Sequence, residues 1–482
     1  MSGVQTQMIR GVVWNVVQKY SSMLVTLFVT MIMARILSPE DFGVVAIALV
    51  VIAFLNIFST LGIGPAIIQR KDLTQKDLND IFSFSVYLGT ILSVLLFVAS
   101  WPIAFFFQND LLRPICQLLC INVFFATINM VPTALMLKFK RFKEMAVCSL
   151  ILSLISAVLS LMAVWSSMGL YSLLVNPIIT AIGLFFFNFY YYPSLFCASF
   201  SFSPLKKIAS YSVYQFAFQF VGFFSSCLDK LIIGKFFPAA LLGYYDKAHN
   251  LTKYPMSMLT SVVTPILHPF LSDFQTEIFK IKEGHNMMTK LLSTLSLPLT
   301  VMLWFCGSEL IIIFYGNQWN CAIFTFQIFT LSIPPTLIMA TSGAFWQSTN
   351  STKLLFWTGL TNSLIIVAGY IITSVVYGTI EAIAWGYVFT TAIIFFITYS
   401  VMYRYVFKTS LTEMLILLIN PCVNAVILCG IYILFDTMLF CHNILLSLTL
   451  KVFVGGSITL LFIQFTHRYD IIRMIKEKRM IF

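Results

Sequence analysis

At 482 residues the chain could hold about three soluble domains of ordinary size, but its composition excludes them. Hydrophobic residues make up 59% and charged residues 10%, against roughly 45–50% and about 25% in a soluble domain. So few charges could not cover a water-facing surface, whereas lipid solvates the 48 Phe and a mean hydropathy of +0.93.

A bilayer core about 30 Å thick needs about 20 apolar residues as helix, because lipid cannot satisfy free backbone N–H and C=O groups. In chain order, spans are predicted near 12–36, 43–66, 81–107, 115–137, 145–165, 172–193, 209–233, 245–270, 288–314, 322–347, 355–376, 381–403, 413–435 and 443–466. The expectation is an all-α integral membrane protein of about fourteen transmembrane helices. The first apolar run exceeds a signal-peptide core and lacks a small-x-small cleavage site, so it is read as a retained span. Charges interrupt the apolar pattern of the seventh and eighth.

The formal charge of +11 would suggest nucleic acid in a soluble protein; here it reports topology. Most of the 29 Lys and Arg gather in alternate connections: Arg10; Arg70, Lys71 and Lys76; Lys138, Lys140, Arg141 and Lys143; Lys206 and Lys207; Lys280, Lys282 and Lys290; Lys353; Arg404 and Lys408; and the tail from Arg468 to Arg479. The other side holds Arg35, Arg113, Lys230, Lys235, Lys247, Lys253 and Lys451. By the positive-inside rule both termini are cytoplasmic, and an even helix count agrees by placing them on one side. No nucleic-acid partner is expected.

The remaining signals are mostly exclusions. Connections are too short for an ATPase or nucleotide-sugar-binding domain, and no GxxxxGK[ST] or HExxH occurs. The 10 Cys contain no CxxC, so no metal or other cofactor is expected. Gly62-Ile63-Gly64 lacks the third Gly of a dinucleotide fingerprint and is read as helix packing. Asn250-Leu251-Thr252 and Asn350-Ser351-Thr352 are read as chance glycosylation matches.

Shifting the sequence by 200 residues aligns Met31-Ile32-Met33-Ala34-Arg35-Ile36-Leu37 and Gly43 with Leu231-Ile232-Ile233-Gly234-Lys235-Phe236-Phe237 and Gly243. A second echo pairs Pro132-Thr133-Ala134-Leu135-Met136 with Pro335-Thr336-Leu337-Ile338-Met339. Both displacements equal six helices, so equivalent helices run the same way and the halves form parallel lobes, a common plan in transporters. The expected division is a six-helix lobe over 1–200, a second over 201–408, and two further helices with a basic tail over 409–482.

Ionisable groups within spans usually face a polar interior. In the first span Asn15, Lys19, Ser22 and Thr26 share one face; in the seventh Gln215, Gln219, Gly222, Ser226 and Asp229; in the eighth Asp246, Asn250, Lys253 and Ser257, with His249 beside them. These helices are expected to line a wet central cavity. Lys19 and Lys253 have no carboxylate one turn away on their own face, which suits an anionic ligand such as a pyrophosphate. Lys230 and Lys235 are read as snorkelling cations or partners of Asp229. Ion coupling would need a buried carboxylate, and Asp229 and Asp246 are the candidates. Pro132, Pro177, Pro265, Pro298, Pro334 and Pro335 fall within spans and could bend them.

Several segments together resemble the Wzx/WzxC-type polysaccharide flippases, the polysaccharide transporter family of the multidrug/oligosaccharidyl-lipid/polysaccharide superfamily. They are Ala34-Arg35-Ile36-Leu37-Ser38-Pro39-Glu40-Asp41-Phe42-Gly43, Ala66-Ile67-Ile68-Gln69-Arg70-Lys71-Asp72-Leu73-Thr74, Leu228-Asp229-Lys230-Leu231-Ile232-Ile233-Gly234-Lys235, Leu242-Gly243-Tyr244-Tyr245-Asp246-Lys247-Ala248-His249-Asn250-Leu251 and Gly316-Asn317-Gln318-Trp319. The resemblance implies two six-helix lobes plus two helices. It also implies a flippase, not an enzyme, that moves undecaprenyl-pyrophosphate-linked oligosaccharide across a bacterial inner membrane for exopolysaccharide, capsule or lipopolysaccharide synthesis. Cations for the pyrophosphate map onto Lys19 and Lys253, less closely onto Arg35 and Lys235. Sugar-binding polar groups map onto Asn15, Gln215, Gln219 and Asn250. The implied partners are the lipid-linked oligosaccharide, the bilayer, and polysaccharide polymerase and export proteins. Phe236-Phe237-Pro238 departs from the family, which commonly has a Gly there, and puts the geometry of that turn in question. A multidrug antiporter of the same superfamily is the alternative, and a membrane-embedded polysaccharide polymerase or ligase the second.

Overall fold

The computed structural model describes residues 3–60, 62–70, 72–197, 201, 203–272, 277–349, 351–438 and 443–465. Lys71, Asn350 and the basic tail from Arg468 lie outside them, as do the side chains of Arg10, Asn15, Lys206, Lys207, Gln215 and Pro265. Among the described residues all regular structure is helical, and the chain divides into two compact units, Met1–Asp246 and Lys247–Phe482.

The first unit contains α1 (Gly3–Ile36), α2 (Pro39–Thr60), α3 (Ile63–Gln69), α4 (Gln75–Phe107), α5 (Leu112–Ile128), α6 (Met130–Lys138), α7 (Phe142–Trp165), α8 (Ser172–Tyr191), α9 (Ser203–Phe236) and the start of α10 (Ala239–Ser272). One core cluster joins Ile63 and Ile67 of α3 to Ile81 and Phe82 of α4 and Val131 of α6. Another brings Phe54 and Phe58 of α2 against Phe216, Phe220 and Phe223 of α9. α4 begins before the expected span because Thr74 and Asp77 form a capping box that satisfies the first-turn amides outside the apolar stretch.

The second unit contains the rest of α10, then α11 (Ile278–Phe305), α12 (Gly307–Tyr315), α13 (Ala322–Thr330), α14 (Ile333–Met339), α15 (Ser342–Ser348), α16 (Thr352–Tyr377), α17 (Ile380–Val401), α18 (Thr412–Met438) and α19 (Ile444–Phe465). A π-helical turn, Met402–Phe407, continues α17. The core of this unit gathers Leu292, Phe345, Trp346, Tyr399, Tyr403 and Met414, all nearly inaccessible. Large side chains such as Phe105, Val375 and Phe453 point outward at 73% exposure or more, as lipid-facing positions do.

Among the described residues eleven helical segments are long and apolar enough to cross a membrane, or twelve counting the bent pair Ala322–Thr330 and Ile333–Ser348. The protein is therefore a multi-pass membrane protein. The seventh and eighth expected spans fall on α9 and α10, each 34 residues long. Parts of both lie outside the described side chains, so the described residues do not reach the expected fourteen.

The internal repeat is visible in the helix boundaries. α1 and α9 are both 34 residues long, and each is followed after two residues by the next helix. The amide of Leu37 donates to the Met33 carbonyl, and that of Phe237 to the Ile233 carbonyl, both at 2.8–2.9 Å. Among the described residues, no positive φ occurs at Phe236 or Phe237, so the turn needs no Gly. The second echo marks broken spans: α5 gives way to α6 at Asn129, just before Pro132, and α13 to α14 just before Pro334 and Pro335, with a 46° bend. Asn188 of α8 donates to the Asn129 and Thr133 side chains at the first break, satisfying acceptors that lipid could not. Pro177 and Pro298 lie within unbroken helices.

Gly62 is the turn residue before α3, and Ile63 and Gly64 open that helix without the expected close packing at Gly64. Gly62 adopts φ +66° between α2 and α3, a conformation that disfavours a side chain, and a Cβ on Gly64 would meet nothing within 4 Å.

Candidate functional site

Lys19 lies on α1 inside the apolar segment Val16–Ile36. α1 packs on α7: Gln18 donates to Ser149 at 2.8 Å, and the Lys143 ammonium lies 5.8 Å from the Trp14 ring centroid. Residue 19 is about 100° round the helix from residue 18, which turns Lys19 off that contact. Its side chain is exposed, and it makes no hydrogen bond or ion pair among the described residues. Ser22 is half-buried and Thr26 exposed on the same stripe.

The junction of α9 and α10 holds a polar cluster. Lys230 forms an ion pair with Asp246 at 2.5 Å, the two side chains 17% and 11% exposed. The Tyr245 hydroxyl donates to Asp229 Oδ2 at 3.0 Å, with both residues fully buried. Sixteen residues separate the members of each pair, so the short turn between antiparallel helices brings them opposite. Lys230 is thus the partner of Asp246, where the sequence suggests Asp229. Both candidate coupling carboxylates are engaged within the protein. Lys235 donates to the Phe106 carbonyl, with its ammonium 4.5 Å from the Phe106 ring centroid. It caps the last turn of α4, where a cation suits exposed carbonyls.

Other expected residues are more dispersed. Gln219 is half-buried on α9, Ser226 donates to the Gly222 carbonyl, and Arg35 is exposed at the end of α1. In the second unit Asn250 is half-buried and Lys253 exposed on α10. His249 is core: its ring stacks on Phe329 at 4.5 Å and 11°.

Just past the two repeat turns, α2 and α10 approach at backbone level. A Cβ on Gly43 would collide with the Ala239 carbonyl, and one on Gly243 with the Pro39 carbonyl. Only glycine permits this approach at either position.

A second ionic cluster escapes sequence reasoning. Lys451 of α19 donates to Glu309 of α12 at 2.7 Å and to the Phe305 carbonyl at 2.9 Å, and pairs with Asp436 of α18 at 2.9 Å. Ser447 and Ser308 add donors to Glu309. Lys451 and Glu309 are 5% and 7% exposed. The signal is present, since both sit inside predicted spans, but Lys451 reads as a topology marker. Asp80 of α4 is likewise a buried carboxylate, 6% exposed, placed just before the predicted third span.

Residues 32–324 match the polysaccharide biosynthesis protein family. The teichuronic acid biosynthesis protein TuaB of Bacillus subtilis (strain 168) is 23% identical over 349 residues, covering 71% of either chain. The lipopolysaccharide biosynthesis protein WzxC of Escherichia coli (strain K12) is 22% identical over 326 residues, 66% of this chain and 65% of its own. Among solved structures, the lipid II flippase MurJ in an inward closed conformation matches 95% of this chain and 99% of its own, with a TM-score of 0.75 at 16% identity. That likeness is one of fold. The family match spans more than half of the sequence, and the chain therefore belongs to the polysaccharide biosynthesis protein family.

Proposed function

We propose that this protein is a flippase that carries undecaprenyl-pyrophosphate-linked oligosaccharide from the cytoplasmic to the outer leaflet of a bacterial inner membrane, for exopolysaccharide, capsule or lipopolysaccharide assembly. The family, relatives named for teichuronic acid and lipopolysaccharide biosynthesis, and the fold shared with a lipid II flippase support this reading. The distribution of Lys and Arg supports cytoplasmic termini. The repeat supports six-helix lobes over 1–200 and 201–408, with the helices of 409–482 added. No bond is made or broken in this mechanism: the lobes rock, and the sugar head group changes sides while the polyprenyl tail stays in lipid.

One observation carries the assignment of the site. Lys19 is an exposed cation in an apolar segment, without a hydrogen bond or ion pair among the described residues. A charge in a membrane helix costs up to roughly 2.5–3.5 kcal/mol at the helix centre on insertion scales, and part of that cost falls on Lys19, three residues inside the start of Val16–Ile36. A pyrophosphate offsets that cost with charge-assisted hydrogen bonds. We assign Lys19 to the pyrophosphate with Lys253 as a second contact, and Asn15, Gln215, Gln219 and Asn250 to the sugars. Arg35 belongs to the far end of the path, whereas Lys235, engaged at the last turn of α4, is not assigned to the transported substrate. Asp229 and Asp246 are assigned to holding α9 against α10, since Tyr245 and Lys230 already engage them. A cationic drug would need an open carboxylate in their place, which disfavours the antiporter reading.

The test is mass spectrometry of lipid extracts from a deletion strain. The reading predicts accumulation of a polyprenyl-pyrophosphate oligosaccharide and loss of the surface glycan. Drug hypersensitivity with an intact glycan would overturn it.

A further inference from the structure

In the first unit α2, α4 and α9 line a partly open apolar cavity of about 370 Å³. Val50 and Phe54 of α2, Leu95, Ala99 and Ile103 of α4, and Leu231 of α9 are among its lining residues, all of them hydrophobic. Toward the end of α9 the three helices converge, because Gly234 lets Ile47 of α2 and Phe107 of α4 close on it. On the other side the ring of Phe54 packs on those of Phe220 and Phe223. The space between is an open-mouthed pocket and not a closed void. It has room for roughly a dozen groups of a water's size at ~30 Å³ each. With no polar group to bind it, water has no reason to stay.

We infer that this cavity is a binding site for one acyl chain of an anionic bilayer phospholipid, whose phosphate is held by Lys235. Leu95 is half exposed among the lipid-facing residues Ile91, Val94 and Val98, so the cavity meets the bilayer along α4. The stripe Leu95, Ala99, Ile103 runs about 12 Å at 1.5 Å per residue. That length takes the end of a straight acyl chain and only a fraction of a polyprenyl tail. Lys235 follows Leu231 by one turn on the same face of α9 and rests on Phe106, one turn beyond Ile103. Its bond to the Phe106 carbonyl uses one of three ammonium donors and leaves two for a phosphate. Arg113 lies over the ring of Trp101 at 4.5 Å, and such an aromatic-cation pair marks the head-group level. The chain would fill the seam between α2 and α9 on the Lys235 side, and this site is independent of what the protein transports.

The full-length protein is delipidated, titrated with phosphatidylglycerol or phosphatidylcholine, and the retained lipid counted by native mass spectrometry. One phosphatidylglycerol should survive activation that removes the rest. Ala99→Phe, which fills the cavity, should weaken its retention by about tenfold or more. Lys235→Gln should remove the preference for phosphatidylglycerol over phosphatidylcholine. Leu95→Trp, at the exposed mouth, serves if Ala99→Phe does not fold, and should give the same loss. Unchanged retention in a folded cavity variant overturns the site. Displacement of the phospholipid by equimolar polyprenyl phosphate overturns the choice of occupant.

Discussion

Gly43 and Gly243 meet reciprocally. A Cβ on the first would come 3.1 Å from the amide nitrogen of the second, and a Cβ on the second 3.3 Å from that of the first, besides striking the carbonyls of Ala239 and Pro39. The two residues occupy the same place in the repeat, so an internal symmetry seen in sequence becomes a backbone contact.

Alanine at either glycine should therefore destabilise the protein by about 1–3 kcal/mol, the usual cost of forcing atoms into a packed contact. Thermal unfolding in detergent and surface-glycan complementation should fall together for Gly43→Ala and Gly243→Ala. Gly64→Ala, where an added Cβ meets nothing within 4 Å, should match the wild type in both.

The Lys230–Asp246 pair makes a different prediction. Removing one member of a buried pair strands the other charge and costs about 3–5 kcal/mol, whereas replacing both with apolar residues is often neutral. Lys230→Met should lower the melting temperature and abundance sharply, and Lys230→Met with Asp246→Leu should recover most of the loss. A double variant no better than the single would show that Asp246 is sustained by other contacts.

The same logic applies to Lys451, which joins α19 to Glu309 and Asp436. Lys451→Met should cost about 3–5 kcal/mol by stranding Glu309, and adding Glu309→Leu should restore stability in a double-mutant cycle. Truncation after residue 408 should cost clearly more than Lys451→Met, because it removes Met414 from the core of this unit as well as the cation beside Glu309.

Much of the fold is legible in the amino-acid sequence, for physical reasons. Lipid demands long apolar helices, so hydropathy locates the spans, and the repeat of Arg35 and Gly43 at Lys235 and Gly243 locates equivalent turns. Two kinds of feature are not legible. Breaks within spans, such as those at Asn129 and before Pro334, depend on tertiary donors like Asn188 that periodicity does not reveal. Pairings across helices depend on register: Lys230 meets Asp246 because of the turn length between α9 and α10, and Lys451 meets Glu309 across a long stretch of chain. The site is legible as candidate positions alone. Lys19 stands out because a charge in an apolar helix is expensive, whereas Lys235, similar in sequence terms, proves to cap α4.

The most direct measurement of the central claim is transport of a fluorescent polyprenyl-pyrophosphate oligosaccharide in proteoliposomes by the wild type, Lys19→Ala and Lys19→Arg at equal protein density. Loss of one charge-assisted contact of about 1.5–3 kcal/mol corresponds to a fall of roughly 10- to 100-fold in Lys19→Ala, with an unchanged melting temperature and partial recovery in Lys19→Arg. Wild-type transport by Lys19→Ala would contradict the account.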